Sequence, residues 1–233
     1  MPPSRRSGPG WTRGLLALAA GSVNAFGFLA LGGVFTSVVT ANSAAVGLHL
    51  GAGEFGAARP VALALLAYAC GAAVGSLAAG GRGRLPATGL RGALALECLL
   101  LWLVAACWLA WHTRPDGAGR DTLLFLAAAA MGCQNAGLRV AAGSEATTAY
   151  LTGMVTSIIA GLVTEGRAPV RNAVVVLLLI AGAAATGALF RWAHHGAVLL
   201  PAALVTAALG LHLPAGRRGG RPRRGAAAPT GAR

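Results

Sequence analysis

Long runs without a charged residue constrain this 233-residue chain more than any other feature. From Gly14 to Gly53 there is no Asp, Glu, Lys or Arg over 40 positions. A helix crossing the ~30 Å hydrocarbon core of a bilayer takes about 20 largely apolar residues, so this run predicts two crossings with a turn at Gly32-Gly33. Further runs cover Pro60–Gly81, Gly92–Thr113 (interrupted by Glu97), Thr122–Leu138, Ala146–Thr164, Asn172–Phe190 and Trp192–Gly216. Together they predict an all-α transmembrane protein with eight spans, six or seven being the lower count. Composition agrees: charged residues are 11% of the chain, against about 25% in a soluble globular domain. That shortage of charge argues against a water-soluble enzyme domain.

All 19 basic residues are Arg, and the formal net charge is +13. With an internal N-terminus and eight spans, 14 arginines fall on the cytoplasmic side and five (Arg82, Arg84, Arg91, Arg139, Arg191) outside. That bias follows the positive-inside rule and puts both termini in the cytoplasm. The Arg82–Arg91 loop is the discordant one. Trp11, Trp108 and Trp111 stand where interfacial anchors are expected. The organisation reads as a basic N-terminus (1–13), a four-span unit (14–113), a cytoplasmic connection (114–121), a second four-span unit (122–214) and an Arg-rich tail (215–233). The Arg-rich start before Leu15–Ala20 has a signal-peptide look, but six further apolar runs follow, and span one is expected to stay. The tail, without an acid, is expected to be disordered and drawn to anionic headgroups; nucleic acid is not expected as a partner.

The halves resemble each other. Asn24-Ala25 matches Asn135-Ala136, and Gly71-Ala72-Ala73 matches Gly182-Ala183-Ala184, both at an offset of 111. Gly32 matches Gly143 at the same offset, while Thr36 and Thr40 match Thr148 and Thr152 at 112. With four spans in each half, the copies are expected to have the same orientation, related by an axis along the membrane normal.

Polar side chains at membrane depth are costly unless they face protein or water. Asn24 and Asn42 in the first half, and Gln134 and Asn135 in the second, are carboxamides that need partners. Thr36 and Thr40 form a one-face pattern with Ser43, as do Thr148 and Thr152 with Thr156. Facing one another across the repeat axis, these groups would line a neutral, hydrogen-bonding pocket. The plainer reading is that threonines bond back to the preceding turn and small polar residues glue helices together. Glu97 is the one acid well inside a span, near its outer end, and Arg139 stands at the outer end of span five. The two are read either as proton or cation coupling through Glu97 or as a static ion pair. Cys70, Cys98, Cys107 and Cys133 all lie within spans without a C-x-x-C pair and read as packing thiols. No metal site or cofactor is expected. Neither a G-x-S-x-G, an H-E-x-x-H nor a P-loop is present, so the expectation is a protein without catalytic activity.

Ser22-Val23-Asn24-Ala25, Phe28 to Phe35 and Thr40-Ala41-Asn42, then Met131 to Ala136 and Tyr150-Leu151-Thr152-Gly153, resemble the YoaK-like family of bacterial membrane proteins over about residues 14–212. That family is one of unknown function, so the resemblance implies an integral inner-membrane protein and little chemistry. The family usually carries Asp at the position of Asn24 and Thr-Gly-Asn at Thr40-Ala41-Asn42. An Asp that titrates in relatives would leave Glu97 as the proton carrier here. The expected function is a secondary transporter or permease for a small neutral or zwitterionic solute, with a membrane scaffold or regulatory subunit as the alternative.

Overall fold

The computed structural model describes residues 10–80, 86–143 and 150–211, and every long element among them is a helix. In chain order these are α1 (Gly10–Ala30), α2 (Val39–Gly51), α3 (Phe55–Ala78), α4 (Pro86–Ala110), α5 (Gly117–Ala142), α6 (Leu151–Glu165), α7 (Val170–Trp192) and α8 (Leu199–Gly210). Helices α1, α3, α4, α5 and α7 are long and apolar enough to cross a membrane. The chain is a helical membrane protein, and each apolar run of the sequence corresponds to a helix.

Side-chain contacts set the direction of each helix. Phe26, late in α1, meets Trp108, late in α4, edge to face at 5.1 Å. The Trp108 ring also lies 6.5 Å from Phe190, late in α7. Arg59, early in α3, pairs with Asp121, early in α5, and α5 follows α4 through a short turn capped by Asp116, which accepts from the Gly119 amide. The ends of α1, α4 and α7 and the starts of α3 and α5 therefore share one end of the bundle, the Trp108 end. At the opposite end, Arg13 of α1, Leu138 late in α5 and Arg171 early in α7 line one cavity. We call this the Arg13 end. Helices α1, α4 and α7 run one way and α3 and α5 the other.

Two expectations are corrected by this arrangement. Helices α1 and α5 hold corresponding places in the sequence yet run antiparallel, as do α3 and α7, so the halves do not have the same orientation. The reason lies in α2 and α6, which do not pass from one end to the other. After α1, Gly32 and Gly33 turn the chain at φ +95° and +76°. Residues 34–37 then double back along α1 until Ser37 reaches Asn24, about 9 Å below the helix end. Helix α2 starts from that depth and returns to the Trp108 end, where α3 begins. Helix α6 does the same at the other end: Ser157 accepts from Asn172 at 2.7 Å, so α6 descends beside α7 to the Arg13 end and α7 starts there. The eight apolar runs are thus not eight crossings. Charge-free length cannot separate a full crossing from a half-length return, because both must be apolar.

Helices in lipid gain little from hydrophobic contact, so close backbone approach at small residues does the packing. Helices α1 and α7 meet at Gly21 and Gly182, where an added Cβ would strike the carbonyls of Leu179 and Leu18 respectively. Helices α3 and α5 meet at Gly71, Gly75 and Gly132, facing Ala129, Cys133 and Tyr68. Helix α5 is the central element, with 78% of its apolar window buried against 11% for α7. Of the three tryptophans expected at the interface, Trp11 and Trp111 are exposed, whereas Trp108 is buried in the Phe26–Phe190 cluster. Trp192, not singled out from the sequence, is exposed at the Trp108 end.

Replacing Gly21 or Gly132 by Val forces these backbones apart and should cost on the order of 1–3 kcal/mol or more. Gly47→Ala, inside α2 with nothing within 4 Å, should not destabilise and should gain up to about 1 kcal/mol from helix propensity. Thermal unfolding in detergent micelles measures both; equal midpoints for all three variants would refute the packing described.

Candidate functional site

The carboxamides and hydroxyls picked out from the sequence fall into three separate places. The first is a pin between α1 and the returning segment. Asn24 Oδ1 accepts from the Thr36 hydroxyl at 3.1 Å and from the Ser37 amide at 3.0 Å, while Nδ2 donates to Ser37 Oγ at 2.8 Å. All three residues are buried. Backbone that is not helical at membrane depth must have its polar groups satisfied by protein, and one carboxamide serves here as both donor and acceptor. Asn42, one turn into α2, donates to the Phe35 carbonyl at 2.6 Å and closes the segment from the other side. Thr40 is exposed and takes no part.

Beside this pin lies a cavity of about 340 Å³ between α1, the returning segment and α7. Its lining is Gly21, Asn24, Ala25, Phe28, Leu29, Phe35, Val38, Leu179 and Ala183, so Asn24 is the one polar side chain on it among the described residues. Among the described residues Asn24 uses one of its two amide hydrogens, which leaves the other for an acceptor. Val38 is the N-cap of α2 and provides no side-chain cap. The first-turn N–H groups of α2, and the positive end of its dipole, therefore stand at the cavity. The chemistry on offer is hydrogen-bond donation to an oxygen acceptor within an apolar wall.

The second place is the α1–α5 crossing. Gln134 Nε2 donates to the Leu16 carbonyl at 3.3 Å. Asn135 Nδ2 donates to the Met131 carbonyl at 3.0 Å, and its side chain bonds Tyr68 of α3. Leu16 lies eight residues before Asn24, about 12 Å along α1. The expected single pocket lined by amides from both halves does not form, because the antiparallel course of α1 and α5 carries their asparagines toward opposite ends. On α6, Thr152 is exposed and its carbonyl accepts from Thr156 at 2.9 Å; Thr148 lies outside the described residues.

Glu97 is the third. Helix α4 begins at Pro86, earlier than the charge-free run, and this moves Glu97 from near a helix end to about 16 Å inside it. Its side chain is completely buried, and among the described residues neither carboxyl oxygen has a hydrogen-bond partner. Cys133 of α5, whose Sγ donates to the Gly71 carbonyl at 3.2 Å, lies near it. Arg139 is exposed and makes no ion pair with it, so the static Glu97–Arg139 pair is corrected.

Two partners were not legible in advance. Ser37 sits in a stretch read as the start of a span, where the break at Gly32-Gly33 was its one signal. Ser22 of α1 bonds Thr186 of α7 at 2.5 Å beside the Gly21–Gly182 contact, and nothing in the sequence linked residues 164 positions apart.

The chain belongs to the family described as Protein of unknown function (DUF1275), whose model matches residues 14–211. Both the extent and the uncharacterised standing of the family agree with the resemblance drawn from the sequence. No curated protein and no solved structure matches the chain.

Asn24→Leu strands the Ser37 amide and the Thr36 hydroxyl and should cost about 2–4 kcal/mol, with Ser37→Ala costing about 1 kcal/mol. Unfolding of the purified variants in mild detergent tests this. An Asn24→Leu protein as stable as the wild type would remove the pin from the account.

Proposed function

We propose that this chain is a non-catalytic secondary transporter for a small neutral or zwitterionic solute, set in a bacterial plasma membrane with both termini inside. The observation that carries the reading is the pair of half-length helices, α2 and α6, entering the bundle from opposite ends. Discontinuous helices with N-termini inside the membrane recur at the substrate sites of transporters built from inverted repeats, where the dipole ends face anionic groups. Neither α2 nor α6 has a side-chain cap.

Several features support two inverted copies of a four-helix unit, each with one returning helix, α8 being the short last member of the second copy. Gly21 matches Gly132, and Gly71 matches Gly182, at the offset of 111. The α1–α7 contact at Gly21 and Gly182 is then the counterpart of the α5–α3 contact at Gly132 and Gly71. The change of offset from 111 to 112 falls between Gly32 and Thr36, in the returning segment. Inversion also accounts for the discordant loop. With the Arg13 end inside, Arg59, Arg114, Arg120 and Arg191 are the four outside arginines and the other 15 are inside, including Arg82, Arg84 and Arg91. That is a stronger positive-inside bias than eight crossings produce.

In this reading the Asn24 cavity receives the carboxylate or carbonyl oxygen of the solute from the outer side. Glu97, whose carboxyl oxygens have no hydrogen-bond partner among the described residues, carries a coupling proton or cation. The proposed partner of the Arg-rich tail (215–233) is the anionic headgroup layer of the inner leaflet. A scaffold role is favoured by one observation, that Asn24, Asn42, Gln134 and Asn135 all make intramolecular bonds.

Proteoliposomes assayed with a panel of zwitterionic and neutral metabolites test the proposal. The expected result is saturable uptake of at least one, accelerated by a proton gradient in the wild type and not in Glu97→Gln. No uptake across the panel, together with no ligand-induced thermal stabilisation, would favour the scaffold. Uptake with unchanged coupling in Glu97→Gln would remove Glu97 from the mechanism.

A further inference from the structure

A second cavity, of about 360 Å³, lies at the Arg13 end, away from Asn24 and Glu97. Arg13, Arg171 and Asn172 give it a polar side, while Trp11, Met154 and Leu178 are among its apolar walls. Asn172 is held in place by its bond to Ser157. Arg13 and Arg171 come close enough for each to feel the other's charge, and among the described residues neither has an acidic partner. Two like charges brought together on one cavity raise its energy unless an anion is shared between them. The starts of α1 at Gly10 and α7 at Val170 stand at the same place, adding two positive dipole ends. Guanidinium groups match phosphate oxygens in forked geometry. The apolar walls continue below the charged rim, a shape that suits a phosphate carrying a hydrocarbon chain.

We propose that this cavity binds a phosphate group, held jointly by Arg13 and Arg171, with the headgroup of an anionic phospholipid as its source and the acyl chain lying along Met154 and Leu178. The site is separate from the transport reading and stands or falls without it. Helix α6 contributes Met154 and Ser157, so an occupied site would brace the half-length helix against α1 and α7.

The test uses the full chain in nanodiscs of phosphatidylcholine with a minor fraction of phosphatidylglycerol, with retained lipid counted by native mass spectrometry. Wild type should retain phosphatidylglycerol selectively. Arg13→Gln and Arg171→Gln should each weaken retention roughly fivefold, and Arg191→Gln, at the far end, should not. The tail is present in every variant, so its own attraction for the lipid cancels. The double variant with lysines keeps the charge and should hold more lipid than the double glutamine variant, which separates loss of the site from loss of the fold. A parallel arm measures thermal stabilisation by glycerol 1-phosphate. Stabilisation that requires both arginines, with no lipid selectivity, would confirm phosphate binding and overturn the lipid source. Equal lipid retention in wild type and double glutamine variant, with no response to glycerol 1-phosphate, would overturn the proposal.

Discussion

Everything in this fold depends on one constraint, that backbone at membrane depth must find its hydrogen-bond partners within the protein. Residues 31–38 leave the helix and re-enter the bundle, and their polar groups would be ruinous there without Asn24 and Asn42. Three bonds from one carboxamide hold Thr36 and Ser37 against α1, and a fourth from Asn42 takes the Phe35 carbonyl. Because the segment is held at that depth, α2 starts inside the bundle and has only enough length to return. Because it returns, α3 starts at the end where α1 stopped. The directions of α3, α4 and α5 follow from that reversal, and that of α7 from the second one at α6.

The glycine contacts fit the same logic. Once α1 and α7 run together, and α3 and α5 run together in the opposite sense, each pair must approach closely with little hydrophobic gain. Gly21 with Gly182, and Gly71 with Gly132, make that approach possible, and the Ser22–Thr186 bond at 2.5 Å exploits it. Glu97 is the residue this logic does not absorb. It sits fully buried in the middle of α4, and among the described residues its carboxyl oxygens have no hydrogen-bond partner.

Much of this was legible in the residues. The apolar runs located the helices, the turn at Gly32-Gly33 is where α1 gives way, and Asn24 and Asn42 carry the bonds that carboxamides at such depth require. Direction was not legible, because a half-length return and a full crossing are equally apolar. Reading α2 and α6 as crossings reversed the relation between the halves and gathered Asn24 and Asn135 into a pocket they do not share. The discordant Arg82–Arg91 loop was the available warning. Arg13 and Arg171 were read only as topological charges, since residues 158 positions apart reveal a shared cavity only once α1 and α7 are seen side by side.

The central claim is that α2 and α6 return to the side they left, and single-cysteine accessibility tests it most directly. In a background lacking Cys70, Cys98, Cys107 and Cys133, cysteines are placed at Ala52 and Arg114, and separately at Gly10 and Arg167. An impermeant maleimide applied to intact cells should label Ala52→Cys and Arg114→Cys and spare Gly10→Cys and Arg167→Cys until the membrane is opened. Eight full crossings would put all four positions on one side. Uniform labelling, or uniform protection, would contradict the account.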